Sequence, residues 1–428
     1  MGSILHFLAL TLSCSFLFFS SNSNPLPQSH HSIPSNPPKP INLLVLPVQQ
    51  DAPTGLHWAN LQKRTPLTQL PLLLDLNGNH LWLNCQHHYY SKTYQAPFCH
   101  STQCSRANTH RCLTCPAASR PGCHKNACGL VSTNPITEQT GLGELGQDVL
   151  AINPIQGAQL GPLVTVPHFL FSCAPAFLSQ KGLPRSVEGV AGLGHGPISL
   201  PNQLASHFGL QRQFSTCLSR SPASKGSIIF GDASSSMSMF HDMAFTPLTI
   251  TTQGEYNVRV DSIRIDSQLL TPPTQTKPWS SEDTEAGGTT ISTSTPYMVL
   301  QSFIFEAFTQ RFAHQIPEEV KVEPVAPFTL CCDANKASKF PKVEFVMDRP
   351  NGPAFKFSGE DLMVQVRPGV KCLAVINGGL QSKAPITIGA RQLEEKLLVF
   401  DLARSRLGFT TKPALNFKCA NLFNFPNA

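Results

Sequence analysis

The chain has 428 residues, 41% of them hydrophobic and only 14% charged, against about a quarter charged in an average soluble domain. That length fills one large or two ordinary cores without staples, and 28 glycines with 37 prolines exclude a helical bundle or a coiled coil. The net charge is +6, but no run of Lys and Arg exceeds two residues (Lys63-Arg64), so a basic tract for nucleic acid or an anionic membrane is missing.

The chain begins with an apolar run from Ile4 to Phe19 and turns polar at Ser20 to Asn24. This is the pattern of a secretory signal peptide over residues 1–24. It is too short for a membrane span, which needs about 20 apolar residues. Residues 25–40 are rich in Pro, Ser and Asn and read as a disordered leader. Secretion removes Cys14 and leaves thirteen cysteines for an oxidising compartment, so at least one stays unpaired. Cys99, Cys104, Cys112, Cys115, Cys123 and Cys128 lie close together. The Cys112 to Cys115 step has the spacing of half a zinc site, but secretion favours disulfides. The adjacent pair Cys331-Cys332 is the natural place for the odd thiol, because neighbouring cysteines rarely bridge each other. That thiol is either buried and inert or an intermolecular bridge. No Asn-x-Ser/Thr sequon occurs.

From residue 41 onward, short apolar runs alternate with Gly, Pro, Asn and Ser clusters: Leu43 to Val48, Leu70 to Leu74, Leu163 to Val166, Ser227 to Phe230 and Leu397 to Phe400. This is a mostly β pattern. Helical spacing is clear only over Gln301 to His314, where Phe303, Phe305, Phe308 and Phe312 fit one buried face. Two segments share one form, an apolar run leading into a polar turn: Leu72 to Trp82, and Thr289 to Tyr297. Each is followed by a Gly-punctuated strand, at Val190 to Gly194 and at Ile386 to Ala390, which suggests a duplicated lobe. The lobes divide as 41–212 and 213–428. The polar, acidic segment Gln268 to Gly288 reads as an exposed loop open to nicking.

Several motifs are decoys. Gly141 to Gly146 matches the dinucleotide pattern G-x-G-x-x-G but precedes a strand, not a helix, and reads as a β-hairpin. Gly192 to Gly196 has no following Lys-Ser/Thr for phosphate. His30-His31 and His87-His88 are solvated surface, since adjacent side chains point apart on an extended chain. No cofactor or resident metal is expected.

Leu74-Asp75-Leu76-Asn77-Gly78 with Leu81-Trp82, Gly143 to Val149, Gly189 to Gly194, Phe230-Gly231-Asp232, Ile388-Gly389, Val399 to Asp401 and Leu407 to Phe409 together resemble the pepsin-like aspartic proteases. The match covers nearly all of the chain after residue 40. Within that fold, Tyr94 to His100 and Phe423 to Phe425 look like the plant basic 7S globulins, related to gamma-conglutins, extracellular dermal glycoproteins and endoxylanase inhibitors. The resemblance implies a bilobal fold of two β-barrel-like lobes. It also implies a secreted, extracellular or cell-wall seed globulin of storage and defence type that binds proteins or small disulfide-rich, insulin-like peptides and forms homo-oligomers. Microbial glycoside hydrolases (xylanases, xyloglucanases) are the alternative partners. By the same analogy, Cys85 pairs with Cys173, Cys217 with Cys419 and Cys331 with Cys372. The 99–128 cluster pairs internally and Cys332 is left free.

The resemblance warns against protease activity. An aspartic protease needs two carboxylates about 3 Å apart sharing one proton, each from an Asp-Thr/Ser-Gly loop. Here Asp75 keeps the first, but Leu76 replaces the hydroxyl that ties the loops together, and Ser292 stands where the second Asp belongs. Both positions are read as vestigial. Ile136 falls where a flap tyrosine is usual. The loop Lys412 to Cys419, where the endoxylanase inhibitors carry an inhibitory histidine, has no imidazole.

Overall fold

Burial alternates strictly along β2 (His57–Lys63), with His57, Ala59, Leu61 and Lys63 inward, as a half-covered strand requires. Its neighbours are β1 (Leu44–Gln50) and β3 (Thr68–Asp75). The protein is seen here as a computed structural model, described over residues 41–428 except 87–88, 158, 235–236, 241, 272–287, 338, 412–416, 424 and 426–428. The signal, the leader with its histidine pair, His87-His88, most of the 268–288 loop and most of the 412–418 loop thus lie outside the described residues. At the edge of the nicking loop, Gln268–Leu269 is a short strand paired with Val260–Ile265.

The architecture is mostly β and bilobal. In the first lobe, β3 runs parallel to Gly189–Gly192, which runs antiparallel to β4 (Trp82–Asn84). In the second, Thr289–Ile291 runs parallel to Ile386–Ile388, which runs antiparallel to Met298–Leu300. The same three-strand knot is therefore made twice, as the repeated apolar-run-and-turn pattern suggests. It brings Asp75, opposite Gly192, and Ser292, whose N–H donates to the Ile388 carbonyl at 3.0 Å, to equivalent places.

A further sheet is shared by early and late parts of the chain. Its order runs from Met243–Pro247 through Arg406–Thr410, Leu397–Asp401, Gln213–Cys217 and Gly226–Phe230 to β1. Phe214 and Phe400 stack across it, ring centres 4.7 Å apart.

Several local expectations are corrected. The strand expected over Leu163 to Val166 extends over Val164–Ala174, because it pairs along most of the 17-residue β7 (Thr140–Gln156). Gly141 to Gly146 is one arm of a β-hairpin and not its turn. It lies wholly inside β7, which pairs with β6 (Ala127–Thr133). A Cβ on Gly143 would lie 2.4 Å from the Cys173 carbonyl oxygen, so close strand approach accounts for that glycine. The helix Ser302–Ala313 buries Ile304, Phe305, Phe308 and Phe312, while Phe303 sits only half-buried at the margin of the stripe. The pair Lys63-Arg64 lies inside the fold: Lys63 is buried with Nζ 3.4 Å from the Phe171 ring centre, and Arg64 lies over Tyr89. No described helix is long and apolar enough to cross a membrane.

Candidate functional site

Asp75 ends β3 at the floor of a cleft of about 720 Å³ between the two knots, lined also by Trp82, Thr133, Asn257, Thr290, Ser292 and Ser294. The residue is 6% exposed, and its carboxylate accepts from Asn77 N–H at 3.1 Å and from Ser294 Oγ–H at 3.3 Å, both at Oδ1. Burial pushes its pKa up to about 6, opposed by those two hydrogen bonds and assisted weakly by Glu255.

Ser292 lies across from it. Its Oγ accepts from Thr295 N–H at 3.1 Å, donates to Thr295 Oγ1 at 3.1 Å, and sits 3.2 Å from Ser294 Oγ. The polar chain therefore runs from Ser292 through Ser294 to Asp75. Ser294, which sequence reasoning did not single out, is the residue of the second loop that touches the carboxylate.

The two loops are tied together, contrary to what Leu76 implied. Thr293 Oγ1 donates to the Leu74 carbonyl at 2.8 Å and accepts from Leu76 N–H at 3.1 Å. In the opposite direction, the Asn77 side chain supplies the tie: Nδ2 donates to the Ile291 carbonyl at 3.2 Å, and Oδ1 accepts from Tyr256 N–H at 3.2 Å. Leu74 and Ile291 immediately precede Asp75 and Ser292, so the crossed bonds are nearly symmetric. An amide one residue further along takes over from a hydroxyl. No signal in the sequence marks this, because the partners are 214 and 179 residues apart.

The hairpin of β6 and β7 projects over the cleft, with Ile136 in its turn. Asn134 anchors that turn. Its Oδ1 accepts from Ile136 and Thr137 N–H, and its Nδ2 donates to the carbonyls of Leu178 and Lys181. Trp82 Nε1–H donates to the Thr133 carbonyl at 3.0 Å. On the far side, Glu138 pairs with Lys383 of the second lobe at 2.6 Å, both partners exposed. His80 beneath the hairpin lies 3.1 Å from Ser132 Oγ, and burial lowers its pKa to about 4.

The described cysteines form six bridges: Cys85–Cys173, Cys99–Cys112, Cys104–Cys128, Cys115–Cys123, Cys217–Cys419 and Cys331–Cys372. Cys332 is free and fully buried. Burial raises its thiol pKa, and nothing of it faces outward to make an intermolecular bridge.

Chemically, the floor can hold one proton on Asp75 and offer hydroxyls and amides to a bound polar group. It presents one carboxylate facing hydroxyls, where a proton-sharing pair would need two.

Residues 58–232 match the family described as xylanase inhibitor N-terminal, and residues 255–411 match the family described as xylanase inhibitor C-terminal. The chain is 68% identical to basic 7S globulin 2 of Glycine max, with all of both chains covered. It is 53% identical to gamma conglutin 2 of Lupinus angustifolius, covering all of this chain and 99% of that one. The crystal structure of basic 7S globulin from soybean superposes with a TM-score of 0.84 at 68% identity, over 90% of this chain and 100% of that one.

Proposed function

The chain belongs to the xylanase-inhibitor family of pepsin-like proteins, among the basic 7S globulins and gamma conglutins, and from that membership we propose that it is a non-catalytic seed globulin of storage and defence type. Its cleft and surface bind proteins or small disulfide-rich, insulin-like peptides, and it works secreted, outside the cell or in the cell wall, as a homo-oligomer. The observation that carries the non-catalytic part is Ser292. With a hydroxyl in place of the second carboxylate, no group opposite Asp75 can protonate a scissile carbonyl while Asp75 activates water. No base touches the Ser292 hydroxyl, which donates to Thr295 Oγ1 and otherwise meets Ser294. Six disulfides in one chain support an oxidising compartment.

A second reading is supported by the family itself, whose two halves are described as those of a xylanase inhibitor: the protein blocks microbial cell-wall-degrading glycoside hydrolases. The missing imidazole in 412–418 argues against the histidine-insertion mode of inhibition.

One preparation of secreted protein separates these readings. Saturable binding of an insulin-like peptide, with xylanases and xyloglucanases at full activity, supports the globulin reading. Hydrolase inhibition without peptide binding favours the second. Acid-pH cleavage that pepstatin abolishes and Asp75→Ala removes would overturn both in favour of an endopeptidase.

A further inference from the structure

The bridge Cys99–Cys112 differs from the other five, because neither of its cysteines is buried. Each other bridge among the described residues has at least one sulfur-bearing residue at 4% exposure or less. Beside it stands exposed His100, held in the left-handed region at φ 61° with Nε2 3.5 Å from Cys112 Sγ. The two sulfurs and an imidazole nitrogen all lie within 4.8 Å of one another.

We propose that this bridge is a redox-gated metal site: closed it holds no metal, and reduced it becomes a Cys2His site for a thiophilic divalent ion such as zinc, with water in the fourth position. An external dithiol supplies the reduction. Its thiolate attacks one sulfur, the S–S bond breaks, two electrons pass to the bridge, and the dithiol departs as its own disulfide, leaving Cys99 and Cys112 as thiols. The incoming ion then displaces both thiol protons to solvent.

Reduction does not scatter the ligands, because both cysteine segments are stitched separately to β6. Cys112 lies on β5 (Arg111–Leu113), paired directly opposite Cys128. Cys99 N–H donates to the Asn126 carbonyl at 2.9 Å, and Phe98 bridges to Ala127. The buried Cys104–Cys128 bridge and the Thr109 hydroxyl bond to the Gly129 carbonyl fasten the segment between them. The donor atoms thus remain gathered when the covalent link opens, and less ordering is needed when the ion binds.

The test uses the full chain. Limited dithiothreitol is applied, opened cysteines are mapped by differential alkylation, and the reductant is removed under anaerobic conditions before cobalt(II) titration. Cys99 and Cys112 are expected to open first, and the reduced protein to take up one equivalent of cobalt with thiolate-to-metal charge-transfer absorption, a band that the oxidised protein lacks. His100→Ala leaves the bridge intact and weakens uptake at least about tenfold, since even an outer partner of a metal ligand carries that much. Cys99→Ser/Cys112→Ser, checked for native circular dichroism, abolishes the charge-transfer band. Another bridge opening first, no charge-transfer band in the reduced protein, or unchanged affinity in His100→Ala would each overturn the assignment.

Discussion

Asn77 in the first lobe and Ile291 in the second are joined by a side-chain hydrogen bond of 3.2 Å, and the same amide accepts from Tyr256 N–H. Asn77→Ala leaves a carbonyl and an amide of the second lobe without this partner. The expected loss is about 1–3 kcal/mol, read as a lowered urea midpoint. An unchanged midpoint would show that water substitutes for the amide.

Four groups shifted by desolvation pull stability in opposite directions as pH changes. His57 and His80 are held at about 4 by burial, so between pH 4 and 6.5 the unfolded chain binds more protons at these positions. Their contribution is present above pH 6.5 and lost as pH falls. Asp75 at about 6 and Glu394 at about 7 are raised, chiefly by burial, so the folded chain binds more protons there. Their contribution is present in acid and lost as pH rises. The opposing effects predict a shallower slope from pH 4.5 to 6 in urea titrations than either pair alone would give. Asp75→Asn removes one opposing group, and its stability should rise with pH more steeply than the parent's over that range, by up to about 1.4 kcal/mol per unit. A wild-type slope as steep as the variant's would refute the compensation.

Ser292→Asp restores a second carboxylate beside the Ser294 and Asp75 chain. Two carboxyls there share one proton, and the pair's upper apparent pKa rises. The variant is expected to match the parent near pH 4.5 and to lose about 1–3 kcal/mol relative to it at pH 7.5. Equal stability at both values would mean that the added carboxylate turns away.

Cys332 is expected to resist thiol reagents in the native state and to react fully in denaturant, because it is buried on a strand between Lys321–Val322 and Val370–Leu373. Cys332→Ser puts a hydroxyl into the core and should cost about 1–3 kcal/mol. Non-reducing electrophoresis should show no dimer that this substitution removes.

What was legible in the sequence was local or repeated. The apolar run ending at Asp75 and its echo ending at Ser292 announced a duplicated lobe, and phenylalanine spacing placed the helix Ser302–Ala313 to within a residue. Cysteine pairings came only through family likeness, since spacing alone leaves many connectivities open. The crossed ties of Asn77 and Thr293 were out of reach, because each joins residues more than two hundred positions apart through a backbone carbonyl that carries no side-chain signal. The length of β7 was equally hidden. Its glycines read as a turn, yet Gly143 faces neighbouring backbone, and Gly141 and Gly146 face the rings of Phe177, Tyr94 and Phe171, all too close for a side chain.

The shared sheet bears on any cut between residues 272 and 287. The hairpin Leu397–Asp401 and Arg406–Thr410 would belong to the downstream piece, yet it is flanked by Gln213–Cys217 on one side and Met243–Pro247 on the other, both upstream. The two pieces would remain interleaved strand by strand, like fingers of clasped hands. Cys217–Cys419 would then be a second fastening, and reducing it under native conditions would not let the halves part.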